Sequence, residues 1–558
     1  MVWWKDVNCY QIWPASFKDS NGDGIGDIGG IITKLDYLKD LGIDVIWLSP
    51  MFDSPQDDMG YDISDYEKVY PKYGTLEDMD QLIEGCHSRG MKLILDLVVN
   101  HTSSEHQWFK ESRSSLDNPK RDWYIWKKPK YDSQGNRQPP NNWKSYFTGS
   151  AWKYDEATDE YYLRLYAESQ PDLNWENEDC RNAIYDSALK FWYERGIDGF
   201  RIDTARLYSK VQTFPDAPIK FPNDEFQPCD MYTSNGPRIH EFHKEMYSKV
   251  TSHYDAMTVG EVGNCSREDA LKYVSAREKE MNMLFLFDVV FLGTVRTSRF
   301  RLLDFTLVDF KSAIKSQCDF IKGTDAWSTV FIENHDQARC ISRFAGNNEK
   351  SAKMIALLQM TLTGTLFIYQ GQEIGMTNLP RSWGIEEYKD IETLNAYNDL
   401  VKRNNITDKN DPKLVEFMDA AAKVARDHAR SPVQWNSTKH GGFTTGDPWM
   451  RVNDNYSDIN VENQIDDPHS VLSFYKKILA LRKTYKDLFI HGDFEMVDED
   501  NEKTFTFWKK TNDLKALVIL NFSNDVVQFE PPQGELLLSN FEIDKALSPW
   551  EGRVYIVK

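Results

Sequence analysis

Short runs rich in Ile, Val and Leu recur along the chain, each followed by a stretch whose apolar residues repeat every three or four positions. The runs are VNCYQIW (7–13), IDVIWLS (43–49), KLILDLVV (92–99), GFRID (199–203), MTVGEV (257–262), MLFLFDVV (283–290), STVFIENH (328–335) and TLFIYQG (365–371). Apolar runs of this length predict buried strands, and their alternation with helices predicts a parallel sheet. Helical stretches such as IITKLDYLKDLG, MDQLIEGCHSRG and NAIYDSALKFWYERG end in Gly, which accepts the left-handed backbone that closes a helix. Eight strands with helices between them predict a (β/α)8 TIM barrel.

Two long gaps and a change of pattern divide the chain. Residues 102–175 are polar, aromatic and turn-rich (KYDSQGNRQPPNNW), too long for a βα loop, and are expected to form an inserted domain after strand three. A second excursion covers about 376–460, after strand eight. From 487 the rhythm becomes short alternating strands, KTFTFWKK, ALVILNF and RVYIVK, which predict an antiparallel C-terminal β-sandwich domain over 487–558. The barrel is then expected from 1–101 and 176–486.

Composition narrows the partners. A net charge of -21 with no basic run argues against nucleic acid or an anionic membrane surface. No apolar run of 18 residues predicts a membrane span, and MVWWKDVNCYQIWP lacks the charged-then-apolar order of a signal peptide. Seven cysteines without C-x-x-C spacing fit reduced thiols, so a cytoplasmic monomer acting on a small molecule is expected. The 17 Trp, 27 Tyr and 30 Phe serve core packing first and flat-faced ligands second.

A TIM barrel carries its chemistry at the C-terminal ends of its strands. Asp203 ends strand four, Glu261 ends strand five and Asp336 follows strand seven. One such acid reads as a helix cap or an ion pair; three converging on one face suit glycoside hydrolysis or a metal site. Arg201 shares a strand face with Asp203 by the period-two rule and is expected to keep it ionised, and His335 stands beside Asp336. No H-E-x-x-H, G-x-S-x-G or Walker loop competes.

The stretch DSNGDGIGDIGG (19–30) carries two motifs. Gly24, Gly26 and Gly29 spell G-x-G-x-x-G, but ten residues separate Gly24 from Trp13, and strand two ends in Leu48-Ser49-Pro50 with no acid for a ribose. Asp19, Asn21, Asp23, the carbonyl of Ile25 and Asp27 form an alternating oxygen set, which predicts a structural calcium ion. It differs from an EF-hand in having Gly30 at position twelve.

LDLVVNHTS (95–103), GFRIDTA (199–205), GEVGN (260–264) and ENHDQAR (333–339) resemble, in order, the four signature regions of the α-amylase superfamily, glycoside hydrolase family thirteen. QPDLNW (170–175) and RDHARSPVQW (426–435) resemble its oligo-1,6-glucosidase and maltase branch, and the resemblance to fungal cytosolic maltases and isomaltases runs essentially the full length. It implies Asp203 as nucleophile, Glu261 as general acid/base and Asp336 as stabiliser of the transition state in a retaining reaction. Further implied are Tyr61 as a stacking platform, an Asp58–Arg430 ion pair closing a one-glucose pocket, and His101, Gln170, Arg201 and His335 as sugar-binding or orienting groups. A calcium loop at 19–27 is implied as well. Thr204, after the nucleophile, points to α-1,4 links and sucrose, where isomaltase-like relatives carry Val. Two departures stand out: Arg206 where a small residue is common, and Tyr166 where Phe is usual. Rival readings are an α-1,6-preferring isomaltase and a transglucosylase or sucrose isomerase, although the Arg-Leu-Asp-Arg-Asp loop of the isomerases is lacking at RFRLLDF (299–305). A transporter-associated subunit of the same fold should carry a membrane span and lose the acids.

Overall fold

Each of the eight apolar runs contains a strand in the computed structural model, which describes residues 2–263, 265–295, 298–542 and 544–557. The strands are β1 (Asn8–Ile12), β2 (Val45–Leu48), β3 (Lys92–Leu97), β4 (Gly199–Ile202), β5 (Met257–Glu261), β6 (Met283–Phe285), β7 (Thr329–Val330) and β8 (Thr365–Tyr369). They pair in parallel in the order β6-β5-β4-β3-β2-β1-β8-β7, and a parallel bridge between Leu284 and Ser328 closes β6 onto β7. Asn264, the last residue of GEVGN, lies outside the described residues.

Two strands are shorter than the apolar runs suggest. β6 stops at Phe285, where Phe291 N–H turns back to the Phe287 carbonyl. β7 stops at Val330; farther along the same run Asn334 takes the Asp336 N–H onto its side chain, a local bond that competes with a ladder. The residues that leave the sheet early are those of the ENHD stretch, so the strand gives way where functional side chains begin.

Alternation sorts the barrel residues into two sets. Cys9, Val45, Trp47, Ile94, Met257, Val259, Met283, Phe285 and Phe367 pack into one cluster inside the barrel. Tyr10, Ile12, Ile46, Leu48, Leu93, Leu95, Phe200 and Ile202 belong to the larger cluster shared with the surrounding helices. Helix ends follow the sequence signals. Gly42 closes Leu35–Leu41 at φ 100°, and Thr75 opens Leu76–Ser88 with a reciprocal capping box to Asp78.

Between β3 and β4, residues 102–175 hold the helix Gln107–Ser114 and a three-stranded antiparallel sheet of Trp126–Lys127, Glu160–Leu163 and Trp152–Asp155. Their apolar cluster, with Trp143, Trp152 and Leu163 at its centre, also takes in Leu207, Phe214 and Cys229 from the loop after β4. That loop was not anticipated as part of the insertion's packing. After β8 the second excursion forms the helices Ile391–Asn404, Pro412–Val424 and Asp427–Arg430. The C-terminal strands make a five-stranded antiparallel sheet, with Val527–Gln528 and Ala546–Leu547 as a separate pair. No described helix is long and apolar enough to cross a membrane.

Candidate active site

β4 presents Arg201, and Asp203 follows two residues on, so both side chains leave the strand on its inward face. Arg201 is 2% exposed and serves three carboxylates. Its Nη1 donates to Asp96 Oδ1 at 2.8 Å and to Asp203 Oδ1 at 2.6 Å, while Nη2 donates to Glu261 Oε2 at 2.6 Å. Asp96, inward-facing on β3, also accepts from Trp47 Nε1 and the Tyr61 hydroxyl, each at 3.1 Å. The sequence reading passed over Asp96, although it lies within the quoted LDLVVNHTS region and alternates correctly with Ile94.

One guanidinium among three acids leaves negative charge in excess. Burial pushes the Asp203 carboxyl well up, Arg201 pulls it down, and the neighbouring Glu261 raises it again. Burial and the like charge of Glu261 thus work against the ionisation that Arg201 favours, and the Asp203 carboxyl is held above its ordinary range. Glu261 is the more open of the two, with 23% of its side chain exposed against 6% for Asp203.

Asp336 lies in the opposite electrostatic setting. Its Oδ1 faces Arg430 Nη2 at 2.9 Å and Arg426 Nη1 at 3.1 Å, and its Oδ2 lies 3.2 Å from His335 Nε2. Burial alone would raise this carboxyl; His335, Arg426 and Arg430 overcome it and hold Asp336 well below the usual range. Because burial also lowers His335, the arginines supply the charge at neutral pH. The rings of His335, Trp13 and Tyr61 form a triangle, His335 lying 5.5 Å from Trp13 and 5.3 Å from Tyr61 with those two 6.3 Å apart, and the His335 Nε2 meets the Tyr61 hydroxyl at 2.7 Å.

The remaining predicted residues join this set. Gln170 Nε2 donates to Asp58 Oδ2 at 3.0 Å and to the Tyr61 carbonyl at 3.2 Å, with His101 Nε2 at 3.3 Å. His101 is pushed down to about 4 by burial and is neutral. Tyr166 packs against His101 at 5.2 Å and against Tyr146 at 5.2 Å. Thr204 takes the left-handed backbone (φ 43°) and points its N–H at Glu261 Oε2, 3.3 Å away. Arg206 is held by the Ser234 hydroxyl, by Tyr146 at 3.4 Å and by Asp230 at 4.0 Å.

One predicted pairing is made differently. Arg430 pairs with Asp336 and Asp390, and among the described residues the cation within 4 Å of Asp58 is Arg426, at 3.5 Å. The two arginines stand at the ends of one helical turn, so either reaches the cluster, and the nearer acids claim Arg430. Burial lifts Asp58 to about 7 against the pull of both arginines, and its Oδ1 has no hydrogen-bond partner.

Comparison with known proteins agrees with this geometry. The α-amylase catalytic-domain model matches residues 11–492. The chain belongs to the α-amylase family. It is 63% identical to an alpha-glucosidase of Candida albicans, over 100% of this chain and 99% of that one. An oligo-1,6-glucosidase of Saccharomyces cerevisiae is 49% identical over 99% of this chain and 98% of its own length. Among solved structures, an isomaltulose synthase from Erwinia rhapontici superposes with a TM-score of 0.93 at 38% identity, covering 99% of both chains. The chain is thus a glycoside hydrolase of the α-amylase family.

Within this α-amylase fold the DSNGDGIGDIGG loop packs against residues 443–449. Asp19 N–H bonds the Phe443 carbonyl, and Trp449 N–H bonds the Gly24 carbonyl. Its glycines permit close approach: a Cβ on Gly24 would lie 1.9 Å from the Asp447 carbonyl oxygen, and one on Gly26 2.1 Å from that of Pro14. Asp19 accepts N–H groups of Asn21, Gly22 and Gly24, Asn21 that of Asp23, and Asp23 that of Ile25. Asp27 caps Ile28–Ile32 through Gly30. Among the described residues no three acidic, His or Cys side chains gather as a metal-binding group.

Proposed function

We propose that the protein is a retaining, exo-acting α-glucosidase that releases glucose from the non-reducing end of short α-glucosides, favouring maltose-type α-1,4 links and sucrose. The observation that carries this reading is the Asp203–Arg201–Glu261 arrangement, in which two carboxyls share one guanidinium. In the first step an Asp203 oxygen bonds to the anomeric carbon as the bond to the leaving oxygen breaks, and Glu261 transfers its proton to that oxygen. In the second, Glu261 takes a proton from water, whose oxygen displaces Asp203. Such a double displacement calls for carboxyls about 5–5.5 Å apart. Asp336, held anionic, faces the positive charge that develops on the ring.

Asp58 Oδ1, Thr204 Oγ1 and Trp13 Nε1 are buried without a hydrogen-bond partner among the described residues, and a sugar's hydroxyls would satisfy them. The Asp58–Arg426 and Asp336–Arg430 contacts stand where the family resemblance implies a pocket-closing ion pair, which suits attack from a chain end. Thr204 supports the α-1,4 preference. The buried thiols of Cys9, Cys86, Cys180, Cys229, Cys318 and Cys340 suit a reducing, cytoplasmic setting, and we read the protein as a monomer. Glucose release from maltose, isomaltose, sucrose and trehalose, with Asp203→Asn as control, tests the reading. Release from none of the four rejects it; faster cleavage of isomaltose than maltose rejects the linkage preference. Isomerised sucrose among the products would favour the isomerase rival.

The all-oxygen donor set of Asp19, Asn21, Asp23, the Ile25 carbonyl and Asp27 has the chemistry a hard cation takes, and we propose a structural calcium ion there, although the three carboxylates do not gather in this arrangement. Binding requires the carboxylates to turn inward from the backbone amides they now cap. Calorimetric titration of chelator-stripped protein with calcium should show one site that Asp23→Ala abolishes; no heat beyond that of the variant would refute the assignment.

A further inference from the structure

Asp390 drew no attention as sequence, and as the first residue before Ile391–Asn404 it looks like an ordinary cap. Its Oδ2 accepts the Thr393 N–H at 3.2 Å, as a cap does. Its other oxygen is occupied differently. Oδ1 lies 3.0 Å from Arg430 Nη1 and 2.6 Å from Arg426 Nη2, while the other arms of the same two guanidinium groups reach Asp336 Oδ1. Two arginines are thus clamped between one fully buried carboxylate and Asp336.

We propose that Asp390 is a positioning residue that sets the closed end of the glucose pocket. It turns Arg426 and Arg430 onto Asp336 and holds Arg426 back from Asp58, so that Asp58 Oδ1 keeps its lone pairs for a sugar hydroxyl. Distances support the division of labour: Arg426 Nη2 is 2.6 Å from Asp390 but 3.5 Å from Asp58. A guanidinium is a rigid planar fork, so fixing two of its arms fixes the third. Arg299 and Glu392 brace the arrangement from outside: Arg299 Nε bonds Glu392 Oε2 at 2.8 Å and Nη1 bonds the Asp336 carbonyl at 2.9 Å. Without the Asp390 charge, Arg426 gains freedom to swing onto Asp58 and close the space a hydroxyl needs.

The inference rests on the α-glucosidase reading, yet glucose binding tests it without turnover. Asp427 is the control, because it accepts the Asp390 N–H (2.9 Å) and the Thr393 hydroxyl (3.1 Å) but makes no described hydrogen bond to either arginine. In Asp390→Asn, glucose affinity measured by calorimetry should fall on the order of 30-fold or more, as for a broken buried charge pair. KM for maltose should rise more than kcat falls. Asp427→Asn should match it in Tm while binding glucose as the wild type does. Asp390→Glu, which keeps the charge, should recover most of the affinity, and it carries the test alone if the Asn variant does not fold. Glucose affinity within threefold of wild type in Asp390→Asn, an equal loss in Asp427→Asn, or a folded Asp390→Glu that fails to bind would each overturn the proposal. A wild type that binds glucose but cleaves none of the four sugars would instead reject the hydrolase reading and leave the Asp390 comparison readable.

Discussion

The two ends of the pocket solve opposite electrostatic problems. At the reacting end one arginine, Arg201, serves Asp96, Asp203 and Glu261, and burial with the crowding of acids raises the Asp203 carboxyl. At the closed end Arg426 and Arg430 serve Asp336 and Asp390, with Arg299 and Glu392 behind them, and Asp336 is driven to stay ionised. One cation shared among three acids weakens the pull toward ionisation; two cations converging on one carboxylate hold it as an anion. The first is needed where a bond breaks, the second where positive charge is only stabilised.

The strongest way to break this contrast is to remove an acid from the crowded end. Asp203→Asn should lower kcat for maltose on the order of 10⁴-fold or more, because the covalent step is lost. Relief of like-charge crowding should leave Tm unchanged or raised, as at other strained functional sites. Retention of more than about a hundredth of the activity would contradict the nucleophile assignment.

The proton-donor role of Glu261 can be probed separately. Glu261→Gln should lower kcat for maltose on the order of 10²–10⁴-fold, the range for general acid–base catalysis. Nitrophenyl glucoside should lose far less in its first step, since its leaving group needs no proton. Equal losses on both substrates would show that Glu261 acts on something other than the leaving oxygen.

Farther out, Arg206 rims the reacting end, held by Tyr146, Ser234 and Asp230. Arg206→Gly should shift the ratio of kcat/KM for isomaltose over maltose upward by roughly tenfold, the scale of small pocket changes. An unchanged ratio would place the leaving sugar elsewhere.

How much of this was legible depends on which physical signal each residue leaves in the chain. Barrel strands announce themselves because burial on both faces demands continuous apolar runs, so all eight were found. The end of β6 was misplaced because the chain turns back on its own backbone after Phe285, and that of β7 because the Asn334 side chain competes for a backbone bond. Asp203, Glu261 and Asp336 stood out by position at strand ends, whereas Asp96 was hidden among Leu and Val. Arg426 lay four residues from Arg430, one helical turn away, yet which of them meets Asp58 is decided by distances that spacing cannot resolve. Asp390 could not be found at all, since its Oδ1 contacts come from residues more than thirty positions away and its Oδ2 makes the cap that any Asp there would make.

The finest test of the contrast concerns Asp58, the one acid at the closed end that stays short of charge compensation. Burial lifts its carboxyl to about 7, against an ordinary value of 3.8. Between about pH 4 and 7 the folded protein therefore holds a proton that the unfolded chain has released, so Asp58's contribution to stability falls as pH rises through that window and levels off above it. A shift of this size corresponds to at most about 4 kcal/mol, and in a chain of this length to only a few degrees in Tm. Asp62, lifted by burial to about 6, contributes in the same direction and is left in place. Asp58→Asn should flatten the decline without removing it: relative to wild type, its Tm should be higher by roughly 1–3 °C at pH 7.5 than at pH 5. Parallel Tm profiles for the two proteins would mean that Asp58 is already ionised below pH 5. The closed end would then be charge-compensated throughout, and Arg426 would belong to Asp58 as much as to Asp390.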